Sequence, residues 1–144
     1  MSEYKHYPAF DGQGRGVKIS LVSGPVIIED GKVLLDKDAL DSFWKFPGGK
    51  LTDNDSPIAA AKREVKEELG LDIEIISEPF VIVLEKTNEG VKEYLVLIHY
   101  LAKRLTNNPQ PGRDIVEWAW HEVNNLPADC ADNIKPAVEH FLKK

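Results

Sequence analysis

One predicted helix, set between two blocks of strand-forming sequence, limits this chain to a fold that layers helices on a sheet. Asp55 or Ser56 can cap this helix, and Pro57 suits its first position. Gly70 can end it in the left-handed conformation. Apolar residues recur inside it at steps of three and four, which gives the helix one apolar face: Ile58, Ala61, Val65 and Leu69. This order of elements predicts an α+β domain in which helices flank a mixed sheet.

The sequence before the helix is predicted to form a hairpin. Residues 17–28 and 32–35 are mostly strand formers, and the intervening Glu29-Asp30-Gly31 is a turn signal. Gly24-Pro25 interrupts the first strand in a way typical of an edge strand or a bulge. Residues 1–16 end in three alternating glycines, and we interpret them as a flexible lead-in. A phosphate cradle is disfavoured there because no helix follows to offer its N-terminus.

Strand formers also dominate the sequence after the helix. Residues 71–84 and 91–102 are predicted to pair as a hairpin, with Pro79 marking a bulge. Residues 115–121 are predicted to form a further short strand. Asp132 is expected to cap a last helix, in which Pro136 falls in the first turn.

Length and charge restrict the classes of function. The 144 residues suit one domain spanning 1–144, and no apolar run approaches the ~20 residues that cross a bilayer. The net charge of −6, without a stripe of Lys and Arg, argues against binding to duplex nucleic acid. A single cysteine, Cys130, cannot form an internal disulfide. Because the N-terminus also lacks a secretory pattern, we expect a cytoplasmic protein in which Cys130 is a small buried side chain.

Three glutamates of the predicted helix are the candidate catalytic feature. Glu64, Glu67 and Glu68 stand at i, i+3 and i+4, so their Cβ atoms lie about 5–6 Å apart on one face. This face lies about 100° from the apolar stripe, at the edge of a groove. Hard divalent cations bind such carboxylate clusters and bridge them to phosphates. A solvated acidic face has the same spacing, and the triplet alone does not separate the two interpretations.

The residues around the triplet resemble a known motif. Residues 49–71 consist of Gly49, five residues, Asp55, seven residues and then the run Arg63-Glu64-Val65-Lys66-Glu67-Glu68-Leu69-Gly70-Leu71. This resembles the Nudix box, and every fixed position matches except that Asp55 replaces a glutamate. Such a match arises by chance on the order of once in a million chains of this length. The stretch 44–49 is similar to the strand and turn that usually precede the box, and 118–120 is similar to the strand that closes the family's substrate site.

The resemblance implies an α-β-α sandwich whose activity is attack of water on phosphorus in a nucleoside diphosphate derivative, aided by Mg²⁺ or Mn²⁺. It implies that the three box glutamates bind the metal, that one of them or a nearby acid is the base, and that a backbone carbonyl of Gly48 or Gly49 is a further ligand. Arg63 is expected to hold a box glutamate in position. Asp55 is one methylene short, from which we expect retuned metal binding without loss of activity.

Residues outside the box supply further candidates. The family often takes another acid as metal ligand or base, and Glu117 is preferred here over Asp114 and over the hairpin acids Glu85, Glu89 and Glu93. The candidates for substrate contact are Trp44, Trp118 and Asp114, whereas Phe46 and Trp120 are expected in the core. His99 and His121 have no partner at metal-ligand spacing, so we expect structural roles for both.

Three functions remain in competition. The first is hydrolysis of a nucleoside triphosphate, including an oxidised one, as in the MutT-type members that this short chain resembles. The second is hydrolysis of ADP-ribose or another nucleotide sugar, for which residues 1–16 are short. The third is a nucleotide-sensing module without turnover, which usually has an eroded box. In each case the expected partner is a small nucleotide, with a homodimer as one possible assembly.

Overall fold

A mixed β-sheet forms the centre of the molecule. The structure is a computed structural model that describes residues 6–52, 54–106 and 108–143. Within these residues the sheet has eight strands in the order β5-β7-β2-β3-β8, with β1 and β4 on β2 and β6 on β7. The β2–β7 pair is parallel and the other pairs are antiparallel. The strands are β1 (His6–Phe10), β2 (Gly16–Glu29), β3 (Lys32–Asp38), β4 (Gly49–Lys50), β5 (Ile73–Ile75), β6 (Phe80–Asn88), β7 (Val91–Arg104) and β8 (Ile115–Glu122).

The helices α1 (Pro57–Leu69) and α2 (Ile134–Leu142) cover opposite faces of this sheet. Alternation along β3 shows the arrangement, because neighbouring side chains of a strand point to opposite faces. Val33 and Leu35 are buried in the cluster that contains the apolar side of α2. Leu34 is buried in the other cluster, with Val65 and Leu69 of α1. The predicted sheet flanked by helices is therefore confirmed.

The predicted ends of α1 are also confirmed. Ser56 is the cap, and its hydroxyl accepts a hydrogen bond of 3.1 Å from the Ala59 N–H. Gly70 ends the helix at φ 67°, in the left-handed region. The buried face differs from the prediction at one position, since Ala60 is fully buried whereas Ile58 is 40% exposed. Ile58 lies in the first turn of the helix.

The lead-in predicted for residues 1–16 is wrong over residues 6–16, and residues 1–5 lie outside the described part of the chain. Strand β1 pairs with the start of β2 from His6↔Ser20 to Phe10↔Gly16. In the turn between them, the Asp11 carboxylate accepts backbone N–H groups of Gln13 at 2.8 Å and Arg15 at 2.9 Å. The alternating glycines therefore belong to a hairpin turn.

Gly24 and Pro25 lie in a central strand, which contradicts the predicted edge or bulge. Pro25 pairs with Tyr100 in the parallel β2–β7 ladder. On the other side of β2, paired residues are 22–23 with β4 and 28–29 with β3, so Pro25 falls between two partners. A Cβ on Gly24 would lie 2.1 Å from the Pro47 carbonyl oxygen. The missing side chain therefore lets the loop before β4 lie directly against β2.

Two further predictions need correction. Residues 71–84 form two short strands, β5 and β6, and Pro79 lies in the connection between them. Asn133 and not Asp132 is the N-cap of α2, and it makes no side-chain cap hydrogen bond. Its amide instead contacts the ring of His99. In the described part of the chain, neither helix has the length and apolar character needed to cross a membrane.

Candidate active site

The box glutamates lie on a cleft of about 750 Å³ beside α1. The loop before β4, the end of β3 and the segment before β8 complete its walls. Most of the predicted site residues line this cleft: Gly48, Gly49, Arg63, Glu64, Glu67, Glu68 and Asp114. The groove-edge position expected from helical spacing is therefore confirmed, while the roles of these residues remain predictions.

Glu64 packs against the backbone of the box glycine. A Cβ on Gly49 would lie 2.6 to 2.8 Å from the three atoms of the Glu64 carboxylate. Arg63 donates a hydrogen bond of 2.9 Å to Glu64. Burial raises the pKa of Glu64, although Arg63 opposes the shift. Because Gly49 has no side chain, the Glu64 carboxylate can pack directly against the backbone at the junction of helix and loop.

Glu68 is the most strongly perturbed carboxyl of the cleft. It accepts the Gly48 N–H at 2.9 Å. Burial, with the negative charges of Asp36 and Glu64, raises its pKa to about 9. In contrast, the Glu67 side chain is 62% exposed at the mouth of the cleft. The triplet therefore combines a solvated carboxylate with two that are costly to ionise.

Asp36 is a fourth carboxyl that the motif does not reveal. It is fully buried, and neither of its oxygens has a hydrogen-bond partner among the described residues. It lies on the α1 side of β3, two positions after Leu34, and interacts with Glu68. Burial raises its pKa to about 7, with Lys45 lowering and Asp38 raising it. A charged residue directly after the apolar run 33–35 was the available sequence signal.

Arg63 joins the two ends of the box. Besides Glu64 it contacts Asp55 at 2.7 Å and Glu67 at 3.7 Å. Asp55 also accepts hydrogen bonds from the Thr52 hydroxyl and N–H. Thr52, followed by Arg63, lowers the Asp55 pKa to about 2. Asp55 thus acts on the box through Arg63 and the loop at Thr52.

A second cavity, of about 610 Å³, meets the cleft at Lys45, Gly48 and Gly49. Its walls are largely apolar and include Phe43, Phe46, Leu84, Leu95 and Leu97. His99 and Asn133 add polar groups, and the Asn133 amide lies 2.9 Å from His99 Nε2. Burial lowers the His99 pKa to about 4, so the ring is neutral. Its Nδ1 lies 3.4 Å from the Gly24 carbonyl oxygen, which can only accept, so Nδ1 carries the proton and Nε2 accepts from Asn133. Lys45, at the junction, is paired with Asp38 and Asp41.

Three predicted residues lie elsewhere. Glu117 is exposed on β8, and its neighbour Trp118 is the residue that pairs with Asp36 on the α1 side. Glu117 therefore points to the opposite face from the box glutamates. Trp118 packs on the α1 cluster, and Trp44 is 7% exposed with its ring 4.4 Å from that of His121. None of the three lines the cleft or the apolar cavity, so the structure does not support their predicted contacts with metal or substrate.

The donor set suits a hard cation, although it is not assembled as a finished site. Within residues 6–52, 54–106 and 108–143, no three His, Cys, Asp or Glu side chains already converge in a metal-binding arrangement. Asp36, Glu64 and Glu68 nevertheless all have raised pKa values, caused first by burial. A divalent cation would compensate the negative charge of these buried carboxylates when they ionise. Oxygen donors are also the ligands that Mg²⁺ prefers. The residues therefore fit such an ion, once their side chains adjust.

Comparison with known proteins gives relatives that share the box region. The chain is 38% identical over 60 residues to an 8-oxo-dGTP diphosphatase of Proteus vulgaris, covering 39% of this chain and 54% of that protein. It is 33% identical over 91 residues to the m7GpppN-mRNA hydrolase dcap-2 of Caenorhabditis elegans, covering 63% of this chain and 12% of that protein. The chain thus spans about half the length of the first relative and about an eighth of the second.

A solved structure and a family model extend the match over most of the fold. A MutT Nudix hydrolase from Burkholderia pseudomallei superposes with a TM-score of 0.70 at 25% identity, covering 84% of this chain and 96% of that one. The model of the Nudix domain matches residues 21–141. Because this match covers most of the chain and includes the whole box, the chain belongs to the Nudix domain family.

Proposed function

We propose that this protein is a divalent-metal-dependent pyrophosphohydrolase that cleaves a diphosphate linkage in a nucleoside triphosphate or a similar nucleotide. The observation that carries the proposal is the meeting of the carboxylate-lined cleft with an apolar cavity at Gly48 and Gly49. A phosphate chain in the cleft then continues into a nucleoside in the cavity. Apolar walls with few polar groups are typical of sites that bind nucleobases.

The box residues hold the metal in this proposal. Glu64, Glu67 and Glu68, with a backbone carbonyl of Gly48 or Gly49, are the ligands for Mg²⁺ or Mn²⁺. Such an ion, when bound, polarises a phosphoryl oxygen and lowers the pKa of an attacking water. Arg63 fixes Glu64 through its 2.9 Å hydrogen bond. The Gly48 N–H, at 2.9 Å, fixes Glu68.

The nucleoside side of the site is assigned to the apolar cavity. Phe43 and Phe46 line it, and Asn133 offers an amide next to a neutral His99. These residues replace Trp44 and Trp118 as the candidates for contact with a base. The relative named as an 8-oxo-dGTP diphosphatase and the one named as a cap hydrolase both point to a diphosphate attached to a nucleoside.

The two other functions serve as outcomes of the same test. ADP-ribose or a nucleotide sugar uses the same cleavage chemistry with a different group beyond the diphosphate. A sensing module without turnover is disfavoured because Glu64, Glu67 and Glu68 are all present on the cleft. A cytoplasmic location and a homodimer remain predictions, and size-exclusion chromatography with light scattering tests the dimer.

Adding a methyl group at Gly49 is expected to separate activity from folding. In Gly49→Ala the new Cβ occupies the space of the Glu64 carboxylate. The displaced group is the far end of a flexible side chain, so the melting temperature should change little. A misplacement of about 1 Å in an active site can cost on the order of 10²-fold in rate, and a fall of this size in kcat is expected.

Gly31→Ala is the control, because a Cβ there meets nothing within 4 Å and the residue lies in the β2–β3 turn. It is expected to lose some stability, since Gly31 has φ 75°. Its kcat should remain at the wild-type value at a temperature where it is folded. Equal kcat for Gly49→Ala and wild type would contradict the role given to the Gly49–Glu64 contact.

A further inference from the structure

A lysine cluster lies at the end of the apolar cavity, around one buried carboxylate. Glu93 is 5% exposed, and its oxygens lie 3.6 Å from Lys86 Nζ and 3.9 Å from the Nζ atoms of Lys18 and Lys50. Lys50 and Lys86 also line the apolar cavity. We call Lys18, Lys50, Lys86 and Glu93 the lysine cluster. None of its members takes part in the chemistry proposed above.

The strand register places the cluster on the same sheet face as the cavity. Lys86 pairs with Glu93 across β6–β7, and Glu93 pairs with Lys18 across β7–β2. Two positions further along, Leu84 pairs with Leu95, and both line the cavity. Side chains two residues apart on a strand share a face. The cluster and the apolar walls therefore form one continuous surface.

Glu93 is a fixed, ionised anchor. Its carboxylate accepts a hydrogen bond of 2.7 Å from the Ser20 hydroxyl. Burial raises its pKa, but Ser20 and then the lysines outweigh burial and hold the pKa below its ordinary value. The lysine contacts of 3.6 to 3.9 Å are longer than a charge-assisted hydrogen bond of about 2.7–2.9 Å. The ammonium groups of Lys18 and Lys86 thus keep donors to offer to another oxygen.

The charge of the cluster is positive even without Lys50. Lys18 and Lys86 carry two positive charges against the one negative charge of Glu93, and their side chains are 42% and 54% exposed. Lys50 follows Gly49 in β4, and its Nζ lies 3.9 Å from the Glu93 carboxylate, so about one lysine side chain separates the cluster from the cleft, a gap that a nucleoside spans.

We propose that the lysine cluster is a binding site for a second phosphate group of the ligand, attached to the nucleoside on the side remote from the diphosphate. The chemical class is a nucleotide with a 3′-phosphate or a 3′-phosphodiester. This inference rests on the proposed function for the position of the nucleoside in the apolar cavity. It deepens that function, because it selects nucleotides that carry a phosphate group at the 3′ position.

Calorimetric titration with two pairs of probes tests the site without turnover. Adenosine and guanosine 5′-monophosphates are compared with the corresponding 3′,5′-bisphosphates. Wild-type protein should bind the bisphosphate of the favoured base about tenfold more tightly, as expected for new charge-assisted hydrogen bonds. Lys18→Ala/Lys86→Ala should bind the bisphosphate and the monophosphate with equal affinity. Lys18→Arg/Lys86→Arg should retain the preference.

Lys66→Ala/Lys92→Ala is the control with the same change of net charge. Lys66 pairs with Asp72, and Lys92 pairs with Glu85 on the opposite face from Glu93. Its preference should equal that of wild type. Equal affinity of wild type for the two probes, or an unchanged preference in Lys18→Ala/Lys86→Ala, would contradict the site. If neither probe binds wild type, the nucleoside cavity is contradicted as well.

A failure of the phosphate site can be distinguished from a failure of the proposed function. Binding of both probes with the lysine-dependent preference, but no hydrolysis of any diphosphate, contradicts the enzyme and leaves the phosphate site supported. Hydrolysis of diphosphates without any preference for bisphosphates contradicts the phosphate site alone.

Discussion

Glu68→Gln is expected to lower kcat by roughly 10²-fold or more, because it removes a proposed metal ligand, while the protein stays folded. The amide oxygen of glutamine can still accept the Gly48 N–H that now lies 2.9 Å from Glu68. The charge that would bind a cation is lost. Glu67→Gln should also lower kcat, because Glu67 lies on the same cleft wall.

The stability of these variants separates catalysis from folding. Burial raises the Glu68 pKa to about 9, so the ionised carboxylate opposes folding and its replacement should stabilise the metal-free protein. Glu139→Gln, at an exposed position of α2, is the control and should change neither kcat nor stability. Steady-state kinetics and thermal unfolding give the two readouts. Wild-type turnover in both Glu67→Gln and Glu68→Gln would exclude these residues from the metal site.

The metal-free protein is expected to lose stability as the pH rises from 7 to 9. In the fold the pKa of Glu68 is raised from 4.5 to about 9 and that of Asp36 from 3.8 to about 7. The folded state therefore binds more protons than the unfolded state across this range, and its stability falls with increasing pH. Glu68 alone contributes a loss on the order of 2 kcal/mol between pH 7 and 9.

A divalent cation should reverse this loss. Mg²⁺ or Mn²⁺ compensates the ionised carboxylates, so saturating metal at pH 9 should raise the melting temperature by roughly 5 °C. His99 does not contribute to the pH dependence of stability between pH 7 and 9, because its pKa is lowered to about 4 and it titrates only at acidic pH. Thermal unfolding in a chelator and in each metal, from pH 7 to 9, measures both effects. Glu68→Gln and Asp36→Asn should each flatten the pH dependence. The same slope in wild type and both variants would contradict the assignment.

The sequence was most informative where structure depends on neighbouring residues. Ser56, Pro57 and Gly70 fix the ends of α1 through local hydrogen bonds and backbone conformation. Helical spacing then places Glu64 and Glu68 on the cleft. These features follow from contacts within a few residues along the chain. The motif additionally identifies the loop around Gly49, which faces the two glutamates.

Long-range packing explains the predictions that failed. Glu117 was placed near the metal because of its neighbours in sequence, but the pairing of β8 with β3 turns it to the opposite face. Asp36 became a site residue because the same pairing puts it under α1, beside Glu68. No local pattern fixes the β3–β8 register that decides both positions, although the charge of Asp36 directly after an apolar run was a signal.

Asp55 shows how a substitution within a motif is absorbed by structure. It contacts Arg63 at 2.7 Å and Thr52 through two hydrogen bonds. Arg63 in turn contacts Glu64. The shorter side chain therefore remains connected to the box through the arginine, which agrees with the expectation that activity is retained.

Hydrolysis of a nucleotide panel, with and without Mg²⁺ or Mn²⁺, tests the central claim most directly. The panel contains normal and oxidised nucleoside triphosphates, a 5′-triphosphorylated dinucleotide, a capped dinucleotide, ADP-ribose and a nucleotide sugar, and the released phosphate, pyrophosphate or nucleotide is quantified. We expect metal-dependent cleavage of at least one diphosphate linkage, lost in Glu68→Gln. Binding of a nucleotide without cleavage of any substrate at any metal concentration would contradict the enzyme and favour the sensing module.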